Sequence, residues 1–176
     1  MQTTSPAFDL VDFLSKVTGP IVAAIAAAIL ATWFATNRFY KEKWWEKRLV
    51  SFTEIIEISF RIKMMDDYFL ECQYYGRGDA KRGFAPHPED ISQKLVAEYW
   101  ADLQEIERIT QLSEFTLTPK TSEILNAFLK ERERIRKDFY DDAMQPEECQ
   151  EDDYKASNKL LRDLVSEAKR SLKIKH

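Results

Sequence analysis

The feature that most constrains this chain is a run of twenty uncharged residues, Val17 to Thr36, followed at once by a dense mixture of rings and bases. At about 1.5 Å of rise per residue, twenty helical residues cover roughly 30 Å, the thickness of a bilayer's hydrocarbon core. A secretory signal would need a basic leader and small residues at its cleavage positions. Here the leader carries Asp9 and Asp12 against Lys16, and the exit reads Trp33-Phe34-Ala35, so cleavage is not expected. A buried core helix competes, because seven of the eighteen residues from Gly19 to Thr36 are alanine. The exit decides between them. Trp33, Phe34, Phe39, Tyr40, Trp44 and Trp45 alternate with Arg38, Lys41, Lys43, Lys47 and Arg48. Aromatic rings collect in the headgroup layer and basic side chains on the cytoplasmic side of a span. One membrane-spanning helix is therefore expected at 17–36, with the N-terminus outside and the C-terminus in the cytoplasm. The bases should also attract anionic lipid headgroups.

The alanines fall on rows four residues apart. Gly19, Ala23, Ala27, Ala31 and Ala35 make one ridge, and Ala24, Ala28, Thr32 and Thr36 the next. Ile21, Ile25, Ile29 and Trp33 make a bulky ridge elsewhere on the helix. Lipid tails are as apolar as leucine, so spans associate by close approach across small residues. Alanine is also simply a good helix former. The sharper expectation is a homo-oligomer packed across the small face. No ionisable residue lies within the span, and polar intramembrane residues are the usual mark of an ion pathway.

Beyond the span the sequence predicts an all-α chain. Three of the four glycines, Gly76, Gly78 and Gly83, fall within eight residues, and neither Gly nor Pro occurs from Ile21 to Tyr75. A single helix is thus free to run from lipid into the cytosol. Its cytosolic part carries two apolar faces: Trp45, Leu49, Phe52 and Ile56 on one, and Ile55, Ile58, Ile62, Met65, Phe69 and Cys72 on the other. Two faces on one helix imply one for the protomer core and one for a partner, or a helix sunk in its own bundle. The first face is collinear with the small ridge if the helix is unbroken.

A second helix is expected from Pro88, with Ile91, Leu95, Tyr99, Leu103 and Ile106 inward. A third begins at the cap Thr118 with Pro119 at its first position, and Leu125, Phe128, Arg132, Ile135 and Phe139 trace its stripe. "QPEECQEDD" reads as an acidic connector to a last helix from about Asp153, packing Leu161, Leu164, Ala168 and Leu172. The expected organisation is an extracytoplasmic leader at 1–16, the span at 17–36, an aromatic and basic segment at 37–50, and a cytosolic bundle of about four helices at 51–176.

Little in the chain has the makings of a catalyst. Two histidines and two distant cysteines, Cys72 and Cys149, offer no metal spacing and no disulfide framework. No nucleophile and base pair emerges, so neither an enzyme nor a cofactor is expected. The loop "YYGRGDAKRGFAPHPEDIS" clusters Arg77, Lys81 and Arg82 beside rings that suit a phosphate or nucleotide. Phe84 and Ala85 stand where a phosphate-binding loop needs Lys and Ser or Thr, which rejects that motif. The loop is either a plain connector or a ligand or partner site.

With its span at 17–36 and its "RFYKEKWWEKR" collar, the chain resembles the small single-span bacterial membrane effectors of antiphage defence. That resemblance implies an inner-membrane protein that perturbs or depolarises the membrane when its cytosolic domain meets a nucleotide, nucleic acid or protein partner. The alternative is a membrane anchor, adaptor or accessory subunit that recruits a cytosolic protein without pore activity.

Overall fold

The computed structural model describes residues 10–172, without the side chains of 10–17, 20 and 114–116. These residues form four helices and no strand: α1 (Leu10–Arg77), α2 (Glu89–Thr116), α3 (Pro119–Tyr140) and α4 (Pro146–Ser171). The chain separates into two units between Trp44 and Trp45. The all-α expectation holds. The leader expected at 1–16 lies largely outside the described residues.

In the first unit, every residue from Ile21 to Thr36 is exposed. α1 is long and apolar enough to cross a membrane, and none of its most apolar window is buried within the chain. A core helix of a soluble protein would be covered.

The second unit is a helical bundle. Phe52, Ile55 and Ile62 of α1, Ile106 of α2, Leu125 of α3 and Leu164 of α4 are all 1% exposed or less and share one core. Full burial of one such side chain is worth about 1.5–3 kcal/mol. The seam Ile55, Ile58 and Ile62 is buried as its spacing predicts, with Met65, Phe69 and Cys72 half-buried. The other face of α1 is largely taken up by the bundle itself: Phe52 is fully buried and Leu49 and Ile56 pack against the same core, while Trp45 at its start is exposed. On α2, Tyr99, Leu103 and Ile106 are buried and Leu95 half-buried, while Ile91 near the helix start is exposed. Arg61 of α1 clamps Asp102 of α2 with two hydrogen bonds, at 2.9 and 2.6 Å.

Helix starts follow local chemistry. Thr118 Oγ1 accepts the Thr121 N–H at 3.1 Å and donates to Glu167 Oε1 of α4 at 2.7 Å, so one hydroxyl caps α3 and ties it to its neighbour. α4 begins at Pro146, seven residues before the expected Asp153. The acidic stretch is not a connector. Pro146 sits at the first helical position, where its missing N–H costs nothing, and the Glu148 carboxylate accepts the Gln145 N–H at 3.2 Å. Leu164, Ala168 and Leu172 are buried as expected, Leu161 only partly, and Leu160 joins the core unforeseen.

Candidate functional site

The candidate membrane span is built from α1's own side chains. Gly19, Ala23, Ala24, Ala27, Ala28, Ala31 and Ala35 are all exposed. A methyl placed on Gly19 would meet no atom within 4 Å among the described residues. Thr32 Oγ1 donates to the Ala28 carbonyl at 2.8 Å. That back-bond satisfies the hydroxyl hydrogen within the helix, as a hydrocarbon surrounding would require. Trp33, Phe39, Tyr40, Lys41, Lys43, Trp44 and Lys47 are exposed, and Arg48 is half-buried. Arg38 is also exposed and pairs with Glu42 at 2.8 Å, one helical turn on.

The loop after α1 is folded back on the bundle. Gly78 and Gly83 hold φ of +86° and +85°, a backbone region that only glycine enters freely. The His87 ring stacks on Tyr68 at 5.1 Å while its backbone N–H donates to the Tyr68 hydroxyl at 3.0 Å. Phe84 packs between Tyr68 and Tyr75, its ring 5.9 and 6.1 Å from theirs. Of the three cations in the sequence cluster, two already have acidic partners. Arg77 pairs with Glu147, and Lys81 with Glu71 at 2.9 Å and Asp67 at 3.3 Å. The Lys81 backbone N–H also donates to Glu71, and these bonds hold the Glu71 carboxyl below its usual range. Arg82 is exposed. The trio thus does not converge on one vacant site; Arg77 and Lys81 pin the loop to α4 and α1.

A polar cluster inside the bundle is the more unusual arrangement. Asp66 of α1 is fully buried and accepts the Tyr99 hydroxyl hydrogen at 2.6 Å. Arg132 of α3, its side chain only 10% exposed, places Nη1 3.7 Å from Asp66 and 3.4 Å from Asp153 of α4. Its guanidinium also lies over the rings of Tyr99 and Phe128, at 5.6 and 5.8 Å. Yet Arg132 Nη1 and Asp66 Oδ2 find no hydrogen-bond partner among the described residues.

Burial sets the titration of this cluster. It raises the Asp66 carboxyl, against the pull of Arg132, Tyr99 and Ser157, and raises Asp153 to about 6 against the same arginine. It also pushes the Tyr99 hydroxyl far above its ordinary range, so Tyr99 remains a donor. Burial opposes the Arg132 charge as well, but Tyr99, Asp153 and Asp66 more than offset it and its pKa is raised. Paired buried charges of this kind contribute little net stability, because the cost of taking them out of water offsets their attraction.

Arg132 and Asp153 also line a cleft of about 260 Å³ that opens beside Trp100, Arg136 and Tyr140. Arg136 lies over the Trp100 ring at 5.5 Å. The sequence reading missed this site, although a signal was present. Arg132 falls on the apolar stripe of α3, and Asp66 sits one turn after Ile62 in the inward seam of α1. A charge on an apolar stripe requires a buried partner, and each of these residues supplies one for the other. No group of three or more metal-ligating side chains occurs among the described residues. Burial pushes the Cys149 thiol up, away from a reactive thiolate.

No family model matches the chain, and the comparisons with curated proteins and with solved structures find no match either.

Proposed function

We propose that this protein is a single-span membrane effector that self-associates through the small face of its span and perturbs the inner membrane when its cytosolic bundle receives a signal. The observation that carries the reading is the unbroken exposure of Ile21 to Thr36 on a helix of spanning length. Leaving that apolar surface in water forfeits about 25 cal/mol for each Å² that lipid would cover, so lipid is its natural surrounding. The aromatic and basic collar orients the span with its N-terminus outside. The small ridge from Gly19 to Ala35, exposed among the described residues, offers a backbone-close contact to a second copy. The back-bonded Thr32 provides little polar lining, so the effector acts by disordering the bilayer or by assembling several copies.

The alternative, an anchor that recruits a cytosolic protein, is favoured by one observation. Ile56, Phe60, Leu161 and Val165 line an open apolar groove between α1 and α4, and Phe60 is half exposed there. Such patches commonly mark a protein contact. Membrane potential measured on induction separates the two readings. The effector predicts depolarisation that is lost when Ala27 and Ala31 are both replaced by leucine. Unchanged potential, with a stoichiometric partner co-purifying, would sink the effector and support the anchor.

A further inference from the structure

We propose that the cleft bounded by Trp100, Arg132, Arg136, Tyr140 and Asp153 binds a small planar aromatic molecule carrying one anionic group, a carboxylate or a phosphate. The site lies wholly in the unit from Trp45 onward and does not rest on the membrane reading.

Charge is the first argument. Two guanidinium groups line the cleft against one carboxylate, Asp153, which burial already draws toward its neutral form. Arg132 faces that carboxylate. Arg136, by contrast, makes no ion pair among the described residues, although Arg134 beside it binds Glu131, Asp138 and Asp152. Arg136 acts on Asp153 as a nearby charge but forms no ion pair with it, so its guanidinium remains available for an anion. Guanidinium groups match carboxylate and phosphate oxygens with two parallel bonds, which an ammonium does not.

The second argument is the buried charge behind the opening. The Arg132 side chain is only 10% exposed, and its Nη1 stands 3.4 Å from Asp153 and 3.7 Å from Asp66 without a hydrogen bond to either. Its guanidinium therefore adds positive potential to the cleft, while the exposed Arg136 is the one an anion reaches directly.

Ring surface is the third argument. Trp100 is 46% exposed and Tyr140 75% exposed, so both present large faces to the solvent around the cleft. Arg136 stacked on Trp100 builds a continuous cationic and aromatic surface on which a planar ring can lie. A cationic ligand fits poorly, because Arg136 already lies over the Trp100 ring and Asp153 faces Arg132. Size narrows the class further. At about 260 Å³ the cleft falls just below the ~300–1,000 Å³ of ordinary ligand sites, room for one ring system and its acidic group.

The test is calorimetric titration of the full-length protein in detergent micelles with indole-3-acetate and with phenyl phosphate, using indole-3-acetamide as the uncharged counterpart. At least one anionic probe is expected to bind with a Kd of about 1 mM or tighter, and the amide at least about tenfold more weakly than indole-3-acetate if that acid binds. The stronger of the two acids identifies the carboxylate or the phosphate as the preferred group. Arg136→Gln and Trp100→Leu alter exposed side chains and should each weaken the bound probe about fivefold or more while leaving helicity and melting temperature unchanged. Should either variant unfold, Arg136→Lys keeps the charge without the planar fork and is expected to bind more weakly than the parent. Absence of binding by both acids, equal binding of acid and amide, or full retention of binding in the folded variants would overturn the proposal.

Discussion

Replacing Asp153 with asparagine should remove a pH dependence that the buried cluster builds into the fold. Burial raises the Asp153 carboxyl from 3.8 to about 6. The folded chain therefore holds this proton more tightly than the unfolded chain does. Stability from this group is fully present below the unfolded pKa and is lost as pH rises through the folded one. With those two values the loss between pH 5 and pH 8 comes to about 1.4 kcal/mol. Asp66, also raised, contributes in the same direction. Glu71, Glu105 and Glu131 are held low by Lys81, Arg108 and Arg134 and oppose the trend. Both sets are shared by parent and variant, so the difference between the two proteins isolates Asp153 and whatever it imposes on Asp66. The assay is urea unfolding of the full chain in mild detergent, followed by circular dichroism at pH 5, 6, 7 and 8. The parent should lose about 1.4 kcal/mol or more relative to Asp153→Asn across that range. A flat difference, or one in which the parent gains stability with rising pH, would refute the burial argument.

Three further outcomes follow from the same geometry. Tyr99→Phe leaves Asp66 Oδ1 without its donor and should destabilise the bundle by about 1–3 kcal/mol in urea unfolding. Thr118→Ala removes the cap of α3 and its bond to Glu167, for a loss of about 1–2 kcal/mol by thermal melting. Asp102→Ala opens the exposed clamp to Arg61 and should cost no more than about 1 kcal/mol, less at high salt, by the same measurement.

Helix number and type were legible in the sequence because glycine and proline are confined to a few loops and every inward face has helical spacing. Thr118 and Pro119 marked the start of α3 to the residue, since a cap and a first-turn proline are local chemistry. The start of α4 was misplaced for a related reason. The five acidic residues that follow Pro146 look like a solvated connector until Glu148 is seen to reach back to the Gln145 N–H, a contact that charge counting does not reveal. The partner face assigned to Phe52 failed because periodicity states which residues are apolar but not how many neighbours surround the helix. The cationic loop was visible as composition, whereas its pairing with Glu71, Asp67 and Glu147 depends on acids distant in sequence or hidden on the facing helix. The cleft was invisible as a unit. It gathers Trp100, Arg136 and Asp153 from α2, α3 and α4, and only folding brings them together.

Proteolysis of sealed, inverted inner-membrane vesicles tests the central claim most directly. With proteinase K added outside, the bundle from about residue 51 onward should be digested, leaving a protected N-terminal fragment that contains Ile21 to Thr36 and reads as such by mass spectrometry. A chain that leaves the membrane entirely, or whose C-terminal bundle is protected while the N-terminus is cut, would contradict the single span with its C-terminus in the cytoplasm.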